Sequence, residues 1–330
     1  MQTPLGDVLR VATELSRSDK VGHWKVRWGI GRMRYTVRPG LYAVGNPDGR
    51  SPVLVSANYK LSFDRLRSEL GGLDAWVLAL DTRGINVWCA AGKGTMGTEE
   101  LLGRMEAAGL SDLVTHRTVV VPQLGAPGIS AHEVKKRSGF RVVFGPVRAG
   151  DIEDFLARGM RATVPMRTVG FPLRDRAALV PMELIPALKP ALAAALGFLL
   201  LGGLGPGGYS IHGIVTHGAQ GALLILGAFA AGAVLGPLLL PGLPGRAFSL
   251  KGFWLGLACV SALWAARVTE GLLPWVFLVP AVTSFVVMNF TGSTPFTSLS
   301  GVRREMRMAV PLQAIAGLVG VGLWIRMLFR

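Results

Sequence analysis

Residues 75–98 read AWVLALDTRGINVWCAAGKGTMGT. Ala75–Leu80 is an unbroken apolar run of strand length, the pattern of a strand buried on both faces. Ile85–Trp88 reads as a second, shorter strand that brings Trp88 and Cys89 to the carboxyl edge of a sheet. Ala90, Ala91 and Gly92 follow, small enough for a large planar group to approach the backbone. Lys93 sets a positive charge one helical turn from Cys89. Thr98 is placed to cap a helix over Thr98–Ala108, with Glu99 and Glu100 at its positive end. Strand, glycine-rich loop and helix in this order form the unit from which α/β sheets are built.

The alternation continues on either side. Pro52–Ser56 (PVLVS), Thr118–Val121 and Arg141–Phe144 read as strands. Phe63–Leu70, Ala131–Ser138 and Ile152–Arg158 have helical spacing. A mainly parallel sheet is expected, with ligands beyond the carboxyl ends of its strands. The loops 91–97, 123–128 and 145–150, rich in Gly and Pro, fall there. Trp24–Val26 and Tyr35–Val37 are short β-like runs that predict an appended hairpin.

The rest of the chain has another character. The 330 residues carry 35 Lys and Arg against 20 Asp and Glu, a net charge of +15, with 17% charged residues and a mean hydropathy of +0.44. Soluble proteins average about 25% charged. Residues 191–330 hold only 8 basic and 2 acidic residues. Five apolar stretches, near Ile185–Leu204, His217–Leu240, Phe253–Ala266, Leu272–Phe290 and Ala309–Leu328, approach the length of about 20 residues that spans a bilayer. The third is short unless Lys251 and Arg267 sit at its ends and snorkel.

Arg246, Lys251, Arg303, Arg304 and Arg307 fall in alternate loops, so the positive-inside rule predicts a cytoplasmic N-terminal domain and an external C-terminus. Residues 1–20 show no secretory signal. The basic excess suits a domain facing anionic membrane lipid. It does not suit nucleic acid, since no basic motif interleaved with aromatic residues occurs. The near absence of charge within the spans favours an anchor or docking platform over a transporter. A transport protein with a cytoplasmic regulatory domain is the reading from another functional class.

Chemistry concentrates in residues 84–98. Gly92-Lys93 invites a phosphate-loop reading. The pattern fails, because Val87 stands where the first glycine is needed and Gly94 where Ser or Thr is needed. Cys89 is then either a small packing residue or a thiolate acting as ligand or nucleophile. His116 and His132 are available as bases, but nothing in the sequence brings them to Cys89. Two cysteines, Cys89 and Cys259, cannot build a zinc or iron–sulfur site. Cys259 reads as a packing residue within a span. His212 and His217 are too few for a metal site, Glu270 reads as solvated, and Met288, Met306 and Met308 read as packing residues.

The run Asn86-Val87-Trp88-Cys89-Ala90-Ala91-Gly92-Lys93 resembles, at every position, the signature of the mercury-methylating corrinoid protein (HgcA) family, which is related to the corrinoid iron–sulfur protein of the acetyl-CoA pathway. Asn58-Tyr59-Lys60-Leu61-Ser62-Phe63-Asp64, Pro122 to Gly128 (PQLGAPG) and Gly145-Pro146-Val147-Arg148 are similar to its flanking motifs. Met96 stands where Phe is commoner. The resemblance covers nearly the whole chain and implies two parts. The first is a cytoplasmic, Rossmann-like α/β corrinoid-binding domain over residues 1–180. The second is an all-α transmembrane domain of five helices over residues 181–330 in the cytoplasmic membrane.

It further implies a cobalamin-type corrinoid, base-off, with the Cys89 thiolate as lower ligand of cobalt. Asn86, Val87, Trp88, Ala90, Ala91, Gly92 and Lys93 would form the cap around that ligand. Ser56, Asn58, Thr95, Gly97 and Thr98 would lie nearby. The implied activity is methyl transfer to Hg(II), as carbanion or radical, for which a strongly donating axial sulfur is suited. The implied partners are a ferredoxin-like protein with two 4Fe–4S clusters (HgcB) as reductant and a methyltetrahydrofolate-linked methyl donor. A corrinoid carrier with an acceptor other than mercury is the alternative within the same chemistry.

Overall fold

The computed structural model describes every residue except 4–5, 270 and 291–298, and the side chains of residues 2, 3 and 299 are likewise undescribed. The chain divides into two compact units, Met1–Gly170 and Phe171–Arg330.

The first unit holds a six-stranded sheet. Its strands are β1 (Leu9–Arg10), β2 (Gly40–Val44), β3 (Val53–Ala57), β4 (Ala75–Leu80), β5 (Thr118–Val121) and β6 (Arg141–Phe144), in spatial order β1-β2-β4-β3-β5-β6. β3 pairs in parallel with β4 and with β5, and β5 in parallel with β6. β2 runs antiparallel to β4 and parallel to β1. The sheet is therefore mixed, with a parallel centre as the alternation predicts.

Both faces are covered. Val53, Val55, Trp76, Leu78 and Leu80 point into one core and Leu54, Val77, Ala79 and Val120 into the other. This period of two along apolar runs is why the central strands carry no polar face. The α-helices of six residues or more are α1 (Arg17–Arg27), α2 (Lys60–Arg67), α3 (Val87–Lys93), α4 (Thr98–Ala107), α5 (Ala131–Ser138) and α6 (Ile152–Ala157).

Three local expectations are corrected. Ile85–Trp88 is not a strand. The chain turns at Arg83 and Gly84, both with left-handed φ, and Asn86 starts helix α3. Trp24–Val26 lies in α1 rather than in a hairpin. Ser16 accepts from the Asp19 N–H while the Asp19 carboxylate accepts from the Ser16 N–H, a capping box that fixes the helix start. Near Tyr35–Val37 there is only a bridge from Thr36 to Tyr59. Thr98 is the first residue of α4, and Gly97 occupies the cap.

The second unit is helical: α7 (Val180–Leu201), α8 (Ile211–Leu239, with π-helical turns), α9 (Phe248–Ala265), α10 (Leu273–Asn289) and α11 (Leu299–Leu328). Among the described residues, four segments are long and apolar enough to cross a membrane, and α10 is a shorter apolar helix of 17 residues. α10 is the most buried of the five, and small residues let its neighbours approach it. A Cβ at Gly232 would lie 2.8 Å from Val286, and one at Gly252 2.5 Å from the Thr283 carbonyl.

Leu188, Leu192, Leu196 and Leu200 form an exposed stripe on α7, and Leu312, Ile315, Leu318 and Val319 are exposed on α11. Apolar surface of this extent suits hydrocarbon, not water. Lys251 lies within α9 and donates to the carbonyls of Leu240 and Leu243, so its charge is met by the end of α8. Arg303, Arg304 and Arg307 lie in the first turns of α11. Cys259 is half-buried among apolar side chains. Glu270 falls outside the described residues.

Candidate functional site

Strand order reverses beside β3: the chain goes from β3 to β4 on one side and reaches β5 and β6 on the other. At such a switch point the loops leave in opposite directions and open a crevice beyond the carboxyl ends of the strands. A cavity of about 470 Å³ lies there. Ser56 at the end of β3, Pro122 and Leu124 after β5, and Gly145–Ala149 after β6 line it on the sheet side.

The polar residue Asn58 stands at this edge, and it serves the backbone. Its Oδ1 accepts from the N–H groups of Thr82 and Gly84, each at 3.1 Å, and its Nδ2 donates to Asp81 at 3.3 Å. The Thr82 hydroxyl donates to Ile85 O at 2.6 Å. These bonds hold the turn that delivers Asn86. The Asn86 side chain then accepts from the Cys89 N–H at 3.0 Å, capping α3, and Gly94 ends the helix in the left-handed conformation.

α3 is seven residues long, and its faces differ. Ala90 and Ala91 are buried, Cys89 is half-buried, and Gly92, Lys93 and Gly94 are exposed. The helix rests on the 123–128 loop through backbone contact. A Cβ at Gly128 would overlap the Met96 carbonyl and lie 3.2 Å from Ala91 Cα. Met96 is fully buried, and a Cβ on Gly125 would lie 3.2 Å from its methyl. The Thr95 N–H donates to Ala90 O, and the Thr98 hydroxyl accepts from the Ser130 N–H at 2.8 Å. Gly97 comes close to Gly94 O.

The cavity therefore takes Ser56, Asn86, Val87 and Trp88 from the expected set directly. Cys89 is next to Trp88 in the same helical turn. Ala90, Ala91, Gly92, Lys93, Thr95, Gly97 and Thr98 build the helix and its exit and do not line the cavity. His116 is held by Ser51 O and the Thr118 N–H, at the amino end of β5 and away from Cys89. His132 is exposed on α5. Neither is seen bonded to the Cys89 thiol among the described residues. Among the described residues, no three His, Cys, Asp or Glu side chains are grouped to hold a metal.

The facing wall has no counterpart in the expected set. His23 and Arg27 of α1 and Arg65 of α2 line it. It is built on a buried ionic cluster. Asp64, fully buried, has His23 Nε2 at 2.8 Å, Lys60 Nζ at 2.6 Å and Arg67 Nε at 2.7 Å. Lys60 and Arg67 also pair with Asp19, at 2.6 and 2.8 Å. Burial pushes both carboxyls up, but the bonds from these partners outweigh it and hold Asp19 and Asp64 below the usual carboxylate range. Burial beside these carboxylates pushes the Tyr35 phenol up to about 12. The signals in the sequence are the Ser16–Asp19 spacing and Lys60, Asp64 and Arg67 on one face of a helix.

Residues 31–156 match the family model described as CO dehydrogenase/acetyl-CoA synthase delta subunit. The chain is 32% identical over 127 residues to the acetyl-CoA decarbonylase/synthase complex subunit gamma of Methanocaldococcus jannaschii, covering 38% of this chain and 26% of the relative. It is 37% identical over 114 residues to subunit gamma 2 of Methanosarcina thermophila, covering 33% and 24%. It is 33% identical over 131 residues to subunit gamma of Methanosarcina acetivorans, covering 38% and 28%. The chain thus spans roughly a quarter of the length of these relatives. The matched interval holds β2 to β6 and α3. It contains neither α1 nor any of the second unit.

Proposed function

We propose that the first unit binds a cobalamin-type corrinoid as a methyl carrier, with the Cys89 thiolate as the protein's ligand to cobalt, and that the methyl acceptor is Hg(II). The observation that carries this reading is the placement of Cys89. It stands in the first turn of a short capped helix; Cys89 does not itself line the cavity, but Asn86, Val87 and Trp88 of the same turn do. The donor set fits: the hydrogen bond at Cys89 is made by its backbone N–H, leaving the soft sulfur uncommitted. A Cβ at Gly92 or Gly94 would meet nothing within 4 Å, so the C-terminal end of this short helix is open as well.

When bound, a corrinoid supplies the metal centre that carries the methyl group. The chain's residues do the rest. Asn86 fixes the helix start and hence the sulfur, Ala90 and Ala91 anchor the helix from below, and Trp88 and Val87 form the apolar approach. Lys93 places a cation at the helix end nearest the open surface. A thiolate is a strong donor, which suits delivery of methyl to an electrophile such as Hg(II). With only Cys89 and Cys259, this chain carries no cluster of its own. A ferredoxin-like partner with two 4Fe–4S clusters is therefore the proposed reductant, and a methyltetrahydrofolate-linked system the proposed donor. The second unit is read as a membrane anchor in the cytoplasmic membrane, with the first unit in the cytoplasm and the C-terminus outside. The apolar stripes and the basic residues near Arg246 and Arg303 support this.

The test is methylmercury formation by anaerobic membranes given Hg(II), the methyl donor and reductant. The native chain is expected to produce it and Cys89→Ala to produce none at equal membrane abundance. Normal production by Cys89→Ala contradicts the role of the thiolate. A second reading, a corrinoid carrier with another acceptor, is favoured by the matched relatives, whose names place them in an acetyl-CoA decarbonylase/synthase complex. A native chain that binds corrinoid yet methylates no Hg(II) selects it.

A further inference from the structure

Helix α1 is packed inside out. Asp19, His23 and Val26 recur at helical spacing and face the protein, two of them into the ionic cluster. The opposite face holds Arg17, Lys20, Val21, Trp24, Lys25 and Trp28. Val21 is 51% exposed and Trp24 59% exposed. Trp24 and Trp28 lean on each other, with ring centroids 5.9 Å apart. Beyond the left-handed turns at Gly29 and Gly31, Ile30 and Met33 are also more than half exposed. Residues 17–34 contain Arg17, Lys20, Lys25, Arg27, Arg32 and Arg34. Their one carboxylate, Asp19, is taken up by Lys60 and Arg67. The outer surface of this segment is cationic and apolar together, with no acidic group.

We propose that residues 17–34 dock on an anionic lipid surface, with Trp24 at the boundary of headgroups and acyl chains and the surrounding cations against lipid phosphates. Cations interleaved with Trp and aliphatic side chains are the composition of helices that lie in a membrane interface. Indole in particular prefers that layer, with its apolar body buried and its N–H in contact with headgroups. Charge complementarity selects anionic lipid over neutral lipid. The inference rests on the reading of Phe171–Arg330 as membrane-embedded. That unit tethers the segment to a bilayer and so raises the effective concentration of the surface it meets. An acidic protein would match the cations, but it lacks this tether. His23 and Arg27, on the same helix, line the cavity. Docking therefore holds one wall of the site at the bilayer surface.

The experiment is hydrogen exchange on the full chain in nanodiscs of phosphatidylcholine alone and of phosphatidylcholine with phosphatidylglycerol. Peptides covering residues 17–34 are read against the core strand β4 as internal reference. Exchange in 17–34 is expected to slow several-fold in the anionic discs and to recover at high salt, where exposed charges are screened. The protection is expected to be lost in Trp24→Ser combined with Lys25→Glu, which changes only exposed side chains. Equal exchange in both lipids overturns the proposal. So does protection that survives high salt and the double substitution, which assigns the face to a protein contact. A chain that does not enter nanodiscs removes the membrane premise and the inference with it.

Discussion

On one side of the cavity, Asn86, Val87 and Trp88 come from a helix held by backbone: a capped N–H, two buried alanines and a glycine pressed against a carbonyl. On the other side, His23 and Arg27 come from a helix held by charge, through Asp19, Lys60, Asp64 and Arg67. The difference decides what each wall can do. Packing by small residues leaves side chains such as Cys89 and Lys93 without structural duties, so they are free for a ligand. Charges that satisfy one another fix a helix firmly and are used up in doing so. The motif helix and α2 both lie within residues 31–156, the segment matched by the family model, and α1 lies outside it.

Substitutions at four positions set the two walls against each other. Cys89→Ala has the largest effect on function and the smallest on structure: methylmercury formation is abolished while the thermal midpoint of the chain hardly moves. Asp64→Ala does the opposite. It strips a buried cluster of its shared carboxylate and costs about 3–5 kcal/mol, read by denaturation of the full chain. The same cluster sets an acid limit. In the unfolded chain Asp19 and Asp64 titrate near their ordinary value of about 3.9. In the folded chain they titrate lower. Their contribution is thus fully present above about pH 4 and is lost as pH falls below it. The protection factor of β4 amides, the exchange rate corrected for its intrinsic pH dependence, should therefore fall below that pH, and more gently in Asp64→Asn. A protection factor that stays constant across that range would remove the cluster from the account.

Gly128→Ala comes next. Its Cβ has no space between Met96 and Ala91, so α3 must shift, at about 1–3 kcal/mol for an overpacked site. Corrinoid retention should fall with it, although residue 128 does not line the cavity. Asn86→Ala removes a helix cap worth about 1 kcal/mol. It should loosen the amides of residues 87–90 in hydrogen exchange without affecting β4. If Gly128→Ala and Asn86→Ala leave corrinoid binding untouched, the motif helix is not held as described.

Much of the sheet was legible from the chain because its central strands are buried on both faces and so carry long apolar runs. PVLVS and AWVLAL can hardly be anything else. β2 (GLYAV) was hidden by its glycine and its short length. α1 was hidden for a physical reason: its inward face carries Asp19 and His23, so the apolar period points the wrong way and Trp24–Val26 imitates a strand. Ile85–Trp88 imitates one too. Only the cap at Asn86 and the turn at Gly84 show that a helix begins there. Of the cavity lining, Asn86, Val87 and Trp88 were legible in the sequence because they are contiguous in one motif. The α1 wall was not, because His23 and Asp64 are 41 residues apart and meet only in the fold.

The central claim is that Cys89 ligates a corrinoid, and the visible spectrum tests it most directly. The full chain and Cys89→Ala, purified without oxygen and reconstituted with cobalamin, should both fold. The native chain is expected to retain a base-off corrinoid whose absorption bands differ from those of the Cys89→Ala protein. Identical spectra from the two proteins, or a folded native chain that retains no corrinoid, would contradict the account.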